Sequence, residues 1–146
     1  MSIKLNLDGF DEMLKKIEKA GGNVDKASRR AMERAADIMQ DELKAQMQAA
    51  DEKNSMSNLI ARMPSPTIEN DYGRITARVG YKKGAYNPDN LSDGYKAVFI
   101  NYGTPRRTKH GKVKARGFIQ KAKRRAKPKI RKEQEKILDE ILRGLK

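Results

Sequence analysis

The sequence predicts an α+β fold, in which two N-terminal amphipathic helices and a C-terminal helix pack on a small antiparallel sheet. Three patterns support this fold class. Residues 24–50 carry apolar side chains at helical spacing, residues 74–81 alternate strictly between apolar and polar, and helical spacing resumes at residue 118. The 146 residues suffice for one core of modest size, so we expect a single domain over residues 1–146.

Short apolar patterns predict the N-terminal elements. Alternating apolar residues predict a strand over residues 2–7. Asp8 has the side chain of a helix N-cap, and a first helix should follow it, with buried positions at the i, i+3, i+4, i+7 spacing. These positions are Phe10, Met13, Leu14 and Ile17. Glycines 21 and 22 should end this helix, and Asn23 should cap a second, longer one that runs to about residue 50.

The middle of the chain predicts a β-hairpin between two loops. Residues 51–66 lose helical periodicity and contain two prolines, which indicates a loop with one brief structured piece at 58–60. Residues 67–70 should pair with the strand at 74–81 through a tight turn. A second, polar loop should span residues 83–94.

The segment Tyr95–Tyr102 is open to two interpretations. Its apolar run AVFI fits a third strand as well as a tight helical turn, and Gly103 ends it in either case. Residues 104–116 hold six Lys and Arg, one His and little apolar surface, so we expect a mobile basic loop. A C-terminal helix should cover residues 117–144. Pro128 removes a backbone donor within it, which predicts either a kinked helix or two shorter helices.

The charge of the chain lies almost entirely at its C-terminal end. The chain holds 33 Lys and Arg against 19 Asp and Glu, a net charge of +14. Residues 1–103 are nearly neutral, with 16 basic and 15 acidic side chains, whereas residues 104–146 hold 17 basic and 4 acidic ones. Such a block attracts polyanions by releasing counterions from phosphates, although it is also typical of a solvated face that keeps a protein soluble. The candidate contacts to a partner or to DNA are Arg106, Arg107, Lys109, Lys112, Lys114, Arg116, Lys121, Lys123, Arg124 and Arg125.

The residue types needed for common catalytic and metal sites are scarce. The chain has no cysteine and one histidine, His110, which excludes zinc and Cys–His sites and leaves any Ser-His-Asp triad dependent on one loop residue. Asp89 and Asp93 resemble part of a calcium loop, but Leu91 and Ile100 stand at two of the ligand positions. No glycine motif of the phosphate-binding type occurs. We therefore expect no enzyme activity, metal, cofactor or small-molecule substrate.

No segment predicts a membrane location. The longest unbroken apolar stretch, Ala97–Ile100, is far shorter than the ~20 residues of a membrane helix. The N-terminus lacks an apolar core of signal-peptide length, so we expect the protein to be cytoplasmic when it is made.

Two short motifs resemble those of a known family. The first is Phe99–Thr104 (FINYGT), and the second, after the basic loop, is Ala115–Ala122 (ARGFIQKA). This order resembles the tail-component family of long-tailed bacteriophages, the small head–tail joining or tail-completion proteins. In that family, an aromatic-Gly-Thr sequence ends a core segment, and a loop then leads to an Ala-Arg-Pro-Phe-Leu-like start of the C-terminal helix. Gly117 stands here in place of the usual proline. The residues that carry the resemblance are Phe99, Tyr102, Gly103, Thr104, Ala115, Arg116, Phe118 and Ile119.

The resemblance implies a non-catalytic structural protein of the phage or prophage neck, which joins or completes the tail at the DNA-filled head. It also implies a homo-oligomeric ring around the neck channel, other neck and tail proteins as partners, and a virion location after assembly in the bacterial host cytoplasm. The basic segment would then meet an acidic partner or make non-specific contact with DNA in the channel. A second class stays open, a sequence-independent nucleic-acid-binding protein that uses residues 106–132, since no base-reading motif accompanies the charge.

Overall fold

The structure is a computed structural model that describes residues 1–6, 10–51, 54–84, 87, 89–104 and 113–145. These residues form three strands and five helices, which confirms the predicted α+β class. In chain order, the elements are β1 (Ser2–Leu5), α1 (Asp11–Lys19), α2 (Val24–Ala50), α3 (Ser57–Ala61), β2 (Thr67–Asp71), β3 (Arg74–Gly80), α4 (Asp93–Tyr102) and α5 (Phe118–Gly144).

The three strands form one antiparallel sheet in the order β1-β3-β2. The central strand β3 pairs with both neighbours, so Ala77 lies opposite Leu5 on one side and Ile68 on the other. The turn between β2 and β3 contains Tyr72 and Gly73, whose φ angles are both positive, at 50° and 83°. This hairpin confirms the strand pairing predicted from the sequence.

The start of α1 differs from the prediction. Phe10 occupies the N-cap position without a side-chain hydrogen bond, and the helix begins at Asp11. The predicted cap, Asp8, lies outside the described residues. The reason is burial, because Phe10 is fully buried against Ala31 of α2 and Ile137 of α5. An apolar anchor at the entrance to the helix therefore takes the place of a polar cap.

The long helix α2 begins and ends where the sequence predicted. The side chain of Asn23 caps it by accepting a hydrogen bond from the backbone N–H of Lys26 at 3.0 Å. This helix contacts the sheet, mainly through β3, and makes the most extensive helix–helix contact of the described residues with α5. The ion pairs between the two antiparallel helices are Arg30–Glu140, Arg34–Glu133 and Glu42–Lys129. The C-terminal helix is thus held to the sheet largely through α2.

The segment that the sequence left open is the helix α4. Ser92 caps it, since its hydroxyl oxygen accepts a hydrogen bond from the Tyr95 N–H at 3.5 Å. Asp93 lies in the first turn, where the helix dipole favours a negative charge. Gly94 and Ala97 lie on the buried side and allow close packing. The capping residues, rather than the apolar run, account for the helix.

The C-terminal helix α5 is continuous, with Pro128 inside it, so the alternative of two shorter helices is wrong. It begins one residue after the predicted start, because Gly117 occupies the N-cap position. The buried side chains on either side of the proline are Ala122, Ala126, Ile137 and Leu138. An interior proline costs about 3 kcal/mol, whereas burial of one Leu or Ile contributes about 1.5–3 kcal/mol. Packing of both halves therefore outweighs the cost of the proline.

The core is rich in methionine. Met32, Met39 and Met47 of α2 are buried, as are Ala27, Ala31, Ala35 and Leu43 on the same helix. Met56 and Met63 flank α3 and belong to the same cluster. Flexible thioether chains fill irregular gaps, so α2, α3 and the sheet share one packed interior.

Candidate functional site

The two C-terminal motifs lie against each other, at the point where the chain leaves α4 and enters α5. The motif Phe99–Thr104 forms the end of α4, and the motif Ala115–Ala122 forms the start of α5. The backbone N–H of Thr104 donates to the carbonyl oxygen of Val113 at 2.9 Å, and the Val113 N–H donates to the Thr104 hydroxyl at 2.8 Å. Both ends of the predicted basic loop are therefore fixed side by side.

A buried asparagine extends this junction into the core. The side-chain oxygen of Asn101 accepts a hydrogen bond from the backbone N–H of Ile119 at 2.9 Å. The Asn101 carbonyl accepts a second one from the Gly117 N–H at 3.0 Å. The Arg116 N–H donates to the Ile100 carbonyl, also at 3.0 Å. The last turn of α4 thereby sets the position and direction of the first turn of α5.

The glycines of the two motifs are required by the backbone at this junction. Gly103 ends α4 with φ 73° and ψ 179°. A β-carbon at Gly103 would lie 2.7 Å from the Ala115 nitrogen and 2.9 Å from the Val113 oxygen, closer than van der Waals contact allows. Gly117 has φ 60°, whereas the proline expected from the resemblance is confined to φ near −65°. The substitution of glycine for proline therefore goes with a left-handed turn into α5.

The structure places the predicted contact cations in three different settings. Lys114 is exposed beside the junction, whereas Arg116 is part-buried and its guanidinium donates to the carbonyl oxygen of Ala50 at the end of α2. The exposed cations on the first turns of α5 are Lys121, Lys123, Arg124 and Arg125. The cations Arg106, Arg107, Lys109 and Lys112 of the predicted mobile loop, together with His110, lie outside the described residues.

The exposed cations continue past the individually predicted contact residues, within the segment 106–132 that the sequence predicts as a candidate nucleic-acid-binding surface. Lys127, Arg131 and Lys132 are exposed on the next turns of α5. Lys129 belongs to the same run, but its ammonium group is paired with the carboxylate of Glu42, which is 7% exposed. The available signal in the sequence was the absence of acidic residues from the first half of this helix.

An ion pair fixes the other end of α4. The Arg62 guanidinium donates two hydrogen bonds to Asp93, one from Nε at 3.0 Å and one from Nη2 at 2.9 Å. These hydrogen bonds lower the pKa of Asp93 below its usual value and raise the pKa of Arg62 above its own. The nearby Tyr81 hydroxyl donates to the Leu59 carbonyl, and burial raises the pKa of Tyr81. Contacts at both ends thus hold α4 in place as the support for the start of α5.

The exposed cations of the candidate site have the chemistry that suits an anionic ligand. They are ammonium and guanidinium groups, which donate hydrogen bonds and carry positive charge. Within the described part of the chain, no group of three or more His, Asp and Glu side chains is arranged to hold a metal ion. Across the same described residues, every helix is too short or too polar to cross a membrane.

Comparison with known proteins gave one family. The model of the HK97-gp10-like family, described as "Bacteriophage HK97-gp10, putative tail-component", matches residues 11–103, which is more than half of the chain. The match runs from α1 to the glycine that ends α4, so it includes the first C-terminal motif except its last residue, Thr104. The second motif, the basic segment and α5 follow the matched region. No curated protein and no solved structure gave a significant match.

Proposed function

We propose that this chain, which belongs to the HK97-gp10-like family of bacteriophage tail components, acts at the neck of the particle, where it joins or completes the tail at the DNA-filled head. Membership of the family makes it a structural protein associated with the phage tail. The position at the neck, the arrangement of copies in a ring around the channel and the absence of a catalytic role are our proposals.

The family match is the observation that carries this proposal, because it covers the unit from α1 to α4 and ends at the junction with the basic segment. In the proposed mechanism, this unit packs against copies of itself and against other neck and tail proteins. Asn101 and Gly103 then hold the start of α5 in a fixed direction relative to that unit. Each copy would thereby present its basic surface in the same orientation within the assembled ring. The protein would assemble in the host cytoplasm and act in the virion by binding alone.

Deletion of the gene tests the proposed position. We would induce the phage or prophage that carries the deletion, examine the particles by negative-stain electron microscopy, and restore the gene from a plasmid as the control. The neck proposal expects DNA-filled heads separate from complete or overlong tails, and joined particles after complementation. Intact, infectious particles from the deletion strain would contradict it.

The alternative function is that of a dedicated sequence-independent nucleic-acid-binding protein. The exposed cations of α5 favour it, because they form a continuous basic surface on a helix that the rest of the fold holds rigidly. A dedicated binder should leave particle assembly intact when deleted. It should also bind nucleic acid with a steep salt dependence, with a log–log slope of about −5 for roughly six neutralised phosphates.

A further inference from the structure

The first half of α5 concentrates positive charge that the fold itself does not use. Residues 118–132 contain eight Lys and Arg and no Asp or Glu. Lys129 pairs with Glu42, but the other seven have no ion-pair partner among the described residues. Arg30 and Arg34 of α2, by contrast, each pair with a glutamate in the second half of α5. The charges that hold the two helices together are therefore distinct from the unpaired group.

This arrangement does not stabilise the helix. Lys123, Lys127 and Arg131 follow one another at a spacing of four residues, and like charges at that spacing repel each other. Gly117 provides no side-chain cap, and the first turn contains no acidic residue to complement the helix dipole. Because these cations make no ion pair among the described residues and repel one another along the helix, their density points to a ligand outside the chain.

The cations cover the whole exposed side of the helix rather than one stripe. With 100° between successive residues, Arg124 and Arg131 point away from the buried Ala122 and Ala126. Lys123 and Lys127 lie toward one edge of the exposed side. The cations toward the opposite edge are Lys121, Arg125 and Lys132. Such a distribution suits a ligand that offers negative charge on both sides of the helix, as the two phosphate walls of a DNA groove do.

The charge density also matches duplex DNA. Residues 121–132 span about 17 Å along the helix axis, so their seven unpaired cations lie about 2.5 Å apart on average. Double-stranded DNA carries one negative charge per ~1.7 Å of its axis. A protein interface of the usual kind would need an apolar centre and would be depleted in lysine. Apart from Pro128, the exposed positions of this stretch are all Lys or Arg, so a phosphate backbone fits them better than an acidic protein surface.

From these observations we infer that the first half of α5, residues 121–132, binds the phosphate backbone of double-stranded DNA without reading its sequence. Phosphate contacts set position and affinity but carry no sequence information. The family match ends at Gly103, so this contact belongs to a part of the chain beyond the matched region. The inference rests on the proposed neck function only for the source of the DNA, which would be the genome in the channel.

The binding test uses the full chain and a fluorescein-labelled 24-base-pair duplex of arbitrary sequence, followed by fluorescence anisotropy from 50 to 300 mM NaCl. The test variant carries four substitutions: Lys121→Gln, Arg124→Gln, Lys127→Gln and Arg131→Gln. The matched control removes the same amount of charge from exposed lysines on α1 and α2: Lys15→Gln, Lys16→Gln, Lys19→Gln and Lys26→Gln. Thermal melting establishes that both variants are folded.

We expect the test variant to bind about tenfold or more weakly at 100 mM NaCl and to lose about three to four units of the log–log salt slope, close to 0.9 per lost phosphate contact. The control should keep the slope of the parent. A variant that keeps the charge, with Arg124→Lys and Arg131→Lys, should bind like the parent. Equal losses in the test and control variants would indicate general charge attraction and overturn the inference. Absence of duplex binding at 50 mM NaCl would also overturn it.

Failure of this inference and failure of the neck proposal give different results. If deletion separates heads from tails but the four substitutions of the test variant leave duplex binding unchanged, the neck proposal stands and the DNA contact does not. If deletion leaves joined particles while the test variant loses duplex binding, the DNA contact stands alone. If the test variant binds duplex like the parent but fails to restore joined particles, the basic surface binds a protein partner, and the inference is wrong.

Discussion

The side-chain oxygen of Asn101 accepts a hydrogen bond from the backbone N–H of Ile119 at 2.9 Å, although the two residues belong to different helices. Asn101 is only 2% exposed, so water cannot replace this partner. The first N–H groups of any helix lack partners within the helix, and here a residue from the preceding helix supplies one. This buried amide therefore helps to set the direction of α5, and with it that of the basic surface, together with the backbone hydrogen bonds of the junction and the packing of α5 on α2.

Replacement of this amide should destabilise the whole fold. Asn101→Ala leaves the Ile119 N–H buried without a partner, which costs about 1–3 kcal/mol of the free energy of unfolding. Urea denaturation followed by circular dichroism measures the loss. The control is Asn58→Ala in α3, where the side chain is exposed and the change should be close to zero. Equal stability of the two variants would contradict the proposed role of the hydrogen bond.

A second prediction concerns Gly103. Its replacement by alanine should lower the free energy of unfolding by more than the positive φ angle alone accounts for. Gly103→Ala adds a β-carbon 2.7 Å from the Ala115 nitrogen, so the junction between the two motifs must open. Gly21→Ala is the matched control, because Gly21 has φ 82° but open space around its missing β-carbon. Left-handed backbone costs an alanine about 1–2 kcal/mol, which we expect for Gly21→Ala, with a larger loss for Gly103→Ala.

Thermal or urea unfolding of both glycine variants provides the comparison. Gly103 also lies near φ 73° and ψ 179°, a region that is essentially restricted to glycine, and this adds to the difference. Similar losses in the two variants would mean that the close approach between the motifs relaxes without cost.

Much of the fold was predictable because its signals are local. The apolar stripe of α2 and the Asn23 cap lie within one segment, and the observed bounds agree with those predicted. The sequence-based predictions fail where burial against residues distant in the chain determines the local structure. Phe10 replaces a polar cap because it is buried between two helices that come later in the chain. The buried face of α4 holds Gly94 and Ala97, so no stripe of large apolar side chains marks it in the sequence.

The sequence predicted the positive charge of the candidate site, but not which of its cations contact other parts of the fold. Composition alone identified the basic segment, yet which cations are available depends on distant residues. Arg116 contacts the carbonyl of Ala50, 66 residues earlier, and Lys129 pairs with Glu42, 87 residues earlier. The role of Asn101 was not predictable from the sequence, because its hydrogen-bond partner is 18 residues away. The local sequence shows only a polar residue four positions after Ala97.

The ion pair between Arg62 and Asp93 at the start of α4 should make the free energy of unfolding depend on pH. Because the hydrogen bonds from Arg62 lower the pKa of Asp93, its ionised form stabilises the fold above the ordinary aspartate pKa of about 3.9. This contribution is lost as the pH falls through the lowered pKa. Asp93→Asn should therefore be less stable than the parent at pH 7 and at pH 5, and the difference should shrink by pH 3.

Urea unfolding of both proteins at the three pH values tests this dependence. Asp25→Asn is the control, because Asp25 also lies in the first turn of a helix but has no ion pair among the described residues. Its effect should be small throughout. If the difference in the free energy of unfolding between Asp93→Asn and the parent stays constant from pH 7 to pH 3, the effect comes from packing rather than from the ion pair.

The last prediction separates the one cation of the basic helix that the fold uses from its neighbours. Lys129→Met leaves the carboxylate of Glu42, at 7% exposure, without its partner and should lower the free energy of unfolding by about 1–2 kcal/mol. Lys127→Met removes an exposed cation without an ion-pair partner among the described residues and should change stability by less than about 0.5 kcal/mol. Adding Glu42→Gln to Lys129→Met should recover part of the loss, because it removes the unpaired buried charge. A double-mutant cycle over Lys129 and Glu42 measures the coupling between them in the free energy of unfolding. Purely additive losses would show that the ion pair does not stabilise the fold and that Lys129 resembles the exposed cations around it.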